Sequence, residues 1–406
     1  MNVDYREGAT GAGELVVAEP LDRLVEELAE LGRPGWRRVE AVFALTVSTE
    51  TTRVTVEYDH RVGRVDAPES LVALARSHRE QAAWTVAGPW WVLTVRVDES
   101  GRAEIDYDYG DEPFPGDQLL RPEAYRADID AYPRVRLPLW LAAYINHGDR
   151  QSRGARRAAV ASRSDRVRGI APTPVEEDFP ELPLLWSRWA VLAAAHIAVG
   201  YESGPRVVPD TGWYESARNG SSGSSLYLLA GDRAVLSGGV WNAPALNAAY
   251  NGGIDLPNLY AGAPDWVTNT VLNPRAAVGL LSFCFWWDGD GWYGGESPSI
   301  QQCGAALPPI WSAGTVRETV ARMLVPQPDS RVRAAVSRLL AAADCGVLTR
   351  ALVQQVFGAE RDIDGAMRQL RTAGVLAPRG AVPRPDGPSS IRILGGRYLC
   401  DDRIAL

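Results

Sequence analysis

The 406-residue sequence contains no lysine, so its 42 basic residues are all arginines. We attribute this bias to GC-rich coding and give it no functional weight. No apolar run reaches the roughly 20 residues that a membrane-spanning helix requires, so the composition predicts a soluble globular protein. The first residues lack a basic leader and an apolar signal core, so we expect a cytoplasmic location.

Cysteine and histidine are also scarce. The cysteines lie far apart, without the paired spacing of zinc sites or the density of a disulfide framework, so buried free thiols are expected at Cys284, Cys303, Cys345 and Cys400. No nucleophile elbow, Walker sequence, dinucleotide fingerprint or zinc-protease motif occurs. The four histidines are widely separated, and His196 is expected to be a core residue. The sequence therefore predicts no enzyme, no catalytic residue, no cofactor and no metal.

The formal net charge is −8, which argues against a general nucleic-acid coat, because phosphate binding depends on clustered positive charge. The charge is unevenly distributed, since residues 329–406 hold 12 arginines and 8 acidic residues. Seven more arginines are concentrated between residues 149 and 174 among alanine and serine. That run predicts a solvated linker or an exposed helix; contact with nucleic acid is the less common alternative.

The order of hydrophobic patterns predicts an α+β protein with several domains. The predicted segments are an N-terminal tail (1–19), a small domain of packed helices and antiparallel sheet (20–147), an arginine-rich linker (148–181), a second α+β domain (182–325) and a winged-helix-like domain (326–406). In the first domain we expect a helix from Leu21 to Leu31, strands over Val39–Val47 and Thr52–Tyr58, and a second helix from Pro68. A hairpin then completes a four-stranded antiparallel meander, and two further helices are expected over Glu123–Ala131 and Leu139–Asn146.

This hairpin, Trp90–Glu112, is the element around which the first domain is organised. From Ala103 the residues alternate, so that Ile105 points to the core and Asp106 to solvent. Its end carries four carboxylates within seven residues, which we call the acidic lip: Asp106, Asp108, Asp111 and Glu112. Such a rim fits contact with a cationic partner surface, and an exposed strand edge that carries charge for solubility is the alternative.

The second domain is expected to contain an apolar helix over Trp186–Val199 and an apolar strand over Leu280–Trp287. The DGDG sequence at 288–291 predicts a turn rather than a calcium loop, because the further ligands are missing at the required spacing. Aromatic residues around this turn, Trp287 and Trp292, are a second candidate contact surface. A weaker alternative is an enzyme site among polar and aromatic loop residues of this domain: Tyr214, Trp241, Asn242, Asn247 and Tyr250.

The last domain reads as three helices capped by Asp329, Thr349 and Asp362, followed by a small hairpin that includes residues 375–376 and 390–394. Helices and hairpin in this order are typical of a winged helix. Its candidate phosphate contacts are Arg368, Arg371, Arg379 and Arg384. Acidic residues at the start of the third helix disfavour base contacts, so protein contact is an equal alternative.

The N-terminal third resembles the YezG-like immunity (antitoxin) family over about residues 20–147. The resemblance is carried by Trp36, by VTVEYD in the second strand, by Trp84, and by W-x-L-T-x-x-V-D-x-x-G-R followed by D-Y-D-Y-G-D. Its most specific positions are Trp91, Leu93, Thr94, Gly101, Ile105, Asp106, Tyr107 and Tyr109. It implies a cytoplasmic bacterial protein that binds a cognate polymorphic toxin and blocks it without catalysis. About 260 further residues lie outside the resemblance.

The sequence thus supports two functional hypotheses. The first is an immunity protein whose partner is a cognate toxin, with Asp106, Asp108, Asp111, Glu112, Trp287 and Trp292 as candidate partner-binding residues. The alternative is a nucleic-acid-associated or transcriptional regulator that uses the winged-helix-like domain and the arginine-rich linker. No membrane partner is expected, and nucleic-acid binding through the last domain is expected to be weak at most.

Overall fold

The computed structural model describes residues 18–32, 34–85, 88–175, 179–216 and 222–377. The chain folds as two compact units, Met1–Asn146 (the N-terminal unit) and His147–Leu406 (the C-terminal unit). Each combines helices with one antiparallel sheet, which confirms the α+β class. No helix in the described part of the chain is both long and apolar enough to cross a bilayer. The domain boundaries expected within residues 147–406 stay predictions.

The described residues of the N-terminal unit form four helices and five strands. The helices are α1 (Ala18–Glu30), α2 (Glu69–Ala82), α3 (Pro122–Ala131) and α4 (Leu139–Asn146). The strands are β1 (Trp36–Leu45), β2 (Glu50–Tyr58), β3 (Arg61–Val65), β4 (Val92–Asp98) and β5 (Ala103–Asp108). All four helices and four of the strands lie where the hydrophobic pattern predicts them.

The sheet has the order β3-β2-β1-β4-β5, so the predicted meander is wrong. After β3 the chain crosses through α2 and returns on the other side of β1, where Arg38 pairs with Asp98 and Ala44 with Val92. β1 occupies the centre because Val39 to Leu45 is apolar apart from Glu40, and such a strand is best buried. β3 was missed because it is short, contains Gly63 and buries no residue.

The two faces of this sheet differ in polarity. One face packs on α1 and α2, in a core that includes Leu24, Leu28, Leu71, Phe43 and Ile105. Alternation places the polar positions of the strands on the opposite face, where Glu40, Arg53, Arg96 and Asp106 are partly exposed. Only part of this opposite face is charged surface, because Val42, Ala44 and Val92 lie on the same face and are buried.

The described residues of the C-terminal unit form helices, strands and three short 3-10 helices. Its helices are α5 (Ala155–Val167), α6 (Leu182–Ala198), α7 (Pro244–Gly252), α8 (Ala313–Leu324), α9 (Ser330–Asp344), α10 (Arg350–Phe357) and α11 (Ile363–Thr372). Its strands are β6 (Thr173–Pro174), β7 (Arg206–Val208), β8 (Thr211–Glu215), β9 (Gly223–Leu229), β10 (Arg233–Gly239), β11 (Phe283–Asp288) and β12 (Trp292–Gly294). The 3-10 helices are Asp265–Thr268, Pro274–Val278 and Ile300–Ala306.

The sheet of this unit has the order β6-β12-β11-β10-β9-β8-β7 and is covered on both faces. Along β11, Phe283, Phe285 and Trp287 belong to the cluster formed around α6. The intervening Cys284 and Trp286 belong to a second cluster that includes Val267 of the first 3-10 helix. A continuous apolar run is what such a doubly covered strand requires.

Helix α6 is the centre of the larger cluster and is apolar on nearly every side. Trp189 and the residues from Ala190 to Ala195 are almost fully buried, and α8, α9 and α11 contribute further apolar residues to the same cluster. His196 is half-buried near the end of α6, where its Nδ1 lies 2.8 Å from the Leu192 carbonyl oxygen. Its hydrogen bond is therefore to its own helix, as expected for a structural histidine.

The predicted helix caps are confirmed. Asp329, Thr349 and Asp362 each accept a hydrogen bond from the backbone N–H three residues later, at the starts of α9, α10 and α11. Leu348 forms a bridge to Leu376, directly after α11. The second strand of the expected hairpin, residues 390–394, lies outside the described residues, so the winged helix stays a prediction.

The thiol expectation holds for two cysteines. Cys284 and Cys303 are buried thiols. Burial also raises the pKa of the Cys284 thiol far above its usual value, which keeps it protonated and unreactive at neutral pH. The expectation is wrong for Cys345, which is disulfide-bonded, and Cys400 lies outside the described residues.

Candidate functional site

The acidic lip contains one carboxylate that is paired with an arginine and three that form no ion pair with another described residue. Asp106 forms an ion pair with Arg96 on the neighbouring strand, and Arg96 Nε also donates to Glu40 Oε2 at 2.8 Å. Partial burial opposes the charge of Arg96, but the hydrogen bonds to Glu40 and Asp106 outweigh it and raise its pKa. Asp106 is therefore part of a charge ladder across the sheet, and its charge is largely neutralised.

Asp108, Asp111 and Glu112 form the uncompensated part of the lip. Asp108 is half-buried, and its carboxylate accepts a hydrogen bond from the Gly110 N–H at 2.7 Å. Burial raises the pKa of Asp108, and the nearby charges of Asp111 and Glu112 raise it further despite that hydrogen bond. Asp111 and Glu112 are exposed and take part in no ion pair among the described residues. Three carboxylates thus lie close enough to repel one another.

The loop that carries these carboxylates is fixed by Gly110. Its φ is +80°, and a Cβ atom there would lie 3.1 Å from two ring carbons of Trp91. The conformation and the close approach both require glycine. The Gly110 carbonyl in turn accepts a hydrogen bond from Trp140 Nε1 at 2.8 Å. The acidic residues on either side of Gly110 are therefore presented by a well-packed turn.

A buried ion pair lies behind this turn. Arg79 of α2 donates to both oxygens of Asp128 on α3, at 2.9 and 2.7 Å, and both side chains are almost completely buried. Asp128 also accepts from Trp91 Nε1 at 2.9 Å and from the Val47 N–H at 3.0 Å. Four hydrogen bonds from three residues satisfy the carboxylate, which a buried charge requires. This network fixes Trp91, whose N–H pairs with the Asp108 carbonyl.

Arg134 occupies a nearby position without neutralising the lip. Its guanidinium lies 3.8 Å from the centre of the Trp91 ring, and it donates a hydrogen bond to the Pro89 carbonyl. Burial lowers the pKa of Arg134 to about 10, which the negative charge of Asp128 only partly offsets. Its contacts are therefore a cation–π interaction and a backbone acceptor, and it has no ion pair with a lip residue among the described contacts.

The structure does not place Trp287 and Trp292 on a contact surface, so that part of the sequence interpretation is wrong. Each side chain is 5% exposed. The two rings pack edge to face at 5.7 Å, and Trp292 Nε1 donates to the Pro180 carbonyl at 2.9 Å. They are buried because α6 and its neighbours cover this face of the sheet, and only the acidic turn between them reaches solvent.

The candidate phosphate contacts of the C-terminal unit are only partly described. Arg368 and Arg371 are exposed on α11, whereas Arg379 and Arg384 lie outside the described residues. Asp364 on the same helix forms a 2.7 Å ion pair with Arg350. That hydrogen bond lowers the pKa of Asp364, and Arg368 and Arg371 lower it further. The positive charge of Arg368 and Arg371 is thus partly offset by Asp364. Nucleic-acid binding by this helix stays a prediction.

The residues of the weaker enzyme hypothesis lie on different elements. Tyr214 is on β8, Trp241 follows β10, and Tyr250 is on α7. The hydroxyl of Tyr250 donates to the Gly279 carbonyl at 2.8 Å, and burial raises its pKa to about 12. This tyrosine is therefore held as a structural donor rather than as an acid or base at neutral pH. No group of three or more potential metal ligands is found among the described residues.

Sequence reasoning found the lip but missed the residues that shape it. Arg96 is separated from Asp106 by the hairpin turn, and no pattern marks it as a partner until the register is known. Asp128 lies in an ordinary helical segment, with no signal of its burial. Gly110 is the exception, because a glycine between an aromatic strand and acidic residues favours a turn. No protein-family model matches this chain, and no curated protein matches it either.

Proposed function

We propose that this chain is a cytoplasmic, non-catalytic immunity protein that binds a cognate toxin through the acidic lip of its N-terminal unit. The observation that carries the proposal is the group formed by Asp108, Asp111 and Glu112. Their mutual repulsion and the raised pKa of Asp108 disfavour the free protein, and a cationic partner surface would relieve both. The resemblance of residues 20–147 to YezG-like immunity proteins supports the same function.

The mode of binding follows from the rigidity of the site. Gly110, Trp91 and the Arg79–Asp128 pair hold the lip in place, so that little ordering is needed on binding. A preorganised negative rim steers a basic partner and slows the approach of acidic ones. Toxins that act on nucleic acids or phosphate-bearing cofactors commonly have positive clefts. The lip would act as a plug or rim contact for such a cleft.

The first test is protection. Cells that express a toxin gene found beside the gene for this chain should resume growth when the full chain is co-expressed. The purified pair should then associate quickly at low salt and more slowly at high salt, since charge steering is screened. If the chain rescues growth from none of the neighbouring toxins, the proposal is wrong.

The second test assigns the surface. Asp111→Asn combined with Glu112→Gln should leave the melting temperature nearly unchanged and slow association about tenfold at low salt. The matched control is Glu26→Gln with Glu30→Gln, two exposed acids on α1 that should change the rate little. Equal rates for the lip variant and the wild type, with protection intact, would place the interface elsewhere on the protein.

A further inference from the structure

We propose that the arginines between residues 150 and 168 of the C-terminal unit form a binding surface for the phosphate backbone of nucleic acid. We call it the arginine strip; it consists of Arg150, Arg153, Arg156, Arg157, Arg163, Arg166 and Arg168. The segment 147–171 contains only two acidic residues, Asp149 and Asp165. This inference does not depend on the proposed toxin binding, because it concerns other residues and another ligand.

The strip concentrates arginines without a carboxylate partner in one short segment of the chain. None of its seven members takes part in an ion pair among the described residues, whereas ten arginines elsewhere do: Arg37, Arg53, Arg76, Arg79, Arg96, Arg126, Arg322, Arg333, Arg350 and Arg361. Six of the seven are exposed, and Arg153 is half-buried. Concentrated unpaired charge of one sign raises the free energy of the protein alone, and an anionic polymer relieves it.

The backbone beneath the strip is anchored by polar contacts. The Gln151 side chain pairs with both backbone groups of Leu281, donating to the carbonyl and accepting from the N–H at 3.0 Å each. Asp165 lies on the buried side of α5, where its carboxylate accepts a hydrogen bond from the Gly262 N–H at 3.4 Å. One of the two acids is therefore turned inward, while the arginines around it face solvent. The strip is thus a fixed surface of the folded unit.

At one end, the strip lines a cavity of about 150 Å³ with polar walls. Arg153 lies 5.1 Å from the centre of the Tyr260 ring, and its Nη2 donates to Asn258 Oδ1 at 3.3 Å. Arg150 lies 5.8 Å from the centre of the Tyr250 ring. Among the described contacts, Arg153 uses one donor in a hydrogen bond and Arg150 uses none, so both groups have donors available at the cavity. Two such groups beside one cavity are suited to a phosphate oxygen.

The spacing along α5 suits a nucleic-acid strand. From Arg156 to Arg168 the helix axis advances about 18 Å, at about 1.5 Å per residue. This length corresponds to about five phosphates of one strand at about 3.4 Å each. The exposed apolar residues of the strip are limited to Val160 and Val167, without the aromatic and leucine residues with which membrane-surface helices insert. Nucleic acid is therefore favoured over a lipid surface.

The neighbouring acids do not cancel this charge. Asp265 begins the 3-10 helix on which α5 packs, and Glu296 accepts from the Asn258 N–H at the cavity. Among the described residues, neither Asp265 nor Glu296 forms an ion pair with an arginine of the strip. The strip therefore retains a net positive charge in a chain whose total is −8, and binding to nucleic acid should be sensitive to salt.

The test is a titration of the full chain against a labelled mixed-sequence DNA duplex, followed by fluorescence anisotropy. Binding should weaken by about a hundredfold between about 50 and 200 mM salt if four phosphates are neutralised. Replacing Arg156, Arg163 and Arg166 with glutamine should make the slope of log affinity against log salt less steep by about 2 to 3. Replacing the same three with lysine should restore most of the affinity, because a point charge suffices for phosphate.

The control is Arg331→Gln with Arg338→Gln, two exposed arginines of α9 that form no ion pair with another described residue. This variant should bind like the wild type, and all variants should show unchanged melting. Three results would overturn the proposal: no DNA binding at low salt, equal losses in the strip and control variants, or binding to phosphatidylglycerol vesicles but not to DNA.

Discussion

The two aromatic hairpins of this protein, β4–β5 and β11–β12, have similar sequences and different surroundings. Each consists of an aromatic or apolar strand, an acidic turn containing glycine, and a second strand. In the first, β5 lies at the sheet edge and alternates between the buried Ile105 and the exposed Asp106. In the second, Trp286 and Trp287 are adjacent and both buried, on opposite faces of the sheet.

The difference shows what makes an acidic hairpin end available to a partner. The sheet of the N-terminal unit is covered by α1 and α2 on one face, and its other face carries partly exposed charges such as Arg96 and Asp106, so charges reach solvent from the strand itself. The sheet of the C-terminal unit is covered on both faces, so only the turn is exposed. A strand with strict alternation therefore indicates a possible surface site, whereas a continuous aromatic run indicates core.

The largest effects are expected in the doubly covered strand. Trp286→Ala and Trp287→Ala should each lower the free energy of unfolding by about 3–5 kcal/mol, because both remove a buried ring from a packed cluster. The control is Asp288→Ala, the next residue, which is exposed and should change stability by less than about 0.5 kcal/mol. Urea denaturation measures all three. A small loss for either tryptophan would mean that one face of β11 is open.

A smaller loss of stability is expected in β5, and only for substitutions on its buried face. Ile105→Ala should cost about 2–3 kcal/mol, since the residue is buried but its strand is at the sheet edge. Asp106→Ala should cost less than about 1 kcal/mol, because its ion pair with Arg96 is partly exposed to solvent. Urea denaturation of both variants measures the two losses in the free energy of unfolding. Equal losses at the two positions would show that the register or the exposure of this strand is wrong.

The smallest effect is expected at Asp108 and should appear in the pH dependence. Its folded-state pKa is raised by burial and by the adjacent acids, so the folded state holds the proton more tightly than the unfolded chain does. Stability should therefore fall as pH rises from the unfolded value near 3.8 through the folded pKa.

Asp108→Asn removes this contribution while keeping an acceptor for the Gly110 N–H. The variant should gain stability relative to the wild type over that pH range and keep the gain at neutral pH. Melting temperatures across the range measure the difference. A constant difference from acidic to neutral pH would show that Asp108 does not titrate abnormally.

Hydrophobic periodicity predicted α1, α2 and α6, because each carries the apolar pattern that its packing requires, whereas α7 and α8 were not predicted. The caps Asp329, Thr349 and Asp362 marked the starts of α9 to α11, since capping is a local interaction. Strand order was not predicted. It depends on which side of β1 the chain returns to after α2, and that choice is made by tertiary packing rather than by local pattern.

The candidate site was predicted in outline only. Four carboxylates near Gly110 are visible in the sequence, but their division into a neutralised Asp106 and an uncompensated group depends on Arg96. The hydrophobicity of Trp287 and Trp292 was visible as well, and their burial required knowledge of what covers the sheet. The lack of ion pairs in the arginine strip likewise becomes apparent only from spatial neighbours.

The order of strands in the N-terminal sheet has a consequence for synthesis of the chain. When α2 has emerged from the ribosome, β1, β2 and β3 have already been synthesised, but β1 has a neighbouring strand on one side only. Its second partner is β4, so the edge from Arg38 to Ala44 stays unpaired until Val92–Asp98 emerges. Unpaired apolar edges recruit other strands, and distant pairings form slowly. A translational pause or a truncation before Val92 would therefore yield a nascent chain that depends on chaperones to avoid aggregation.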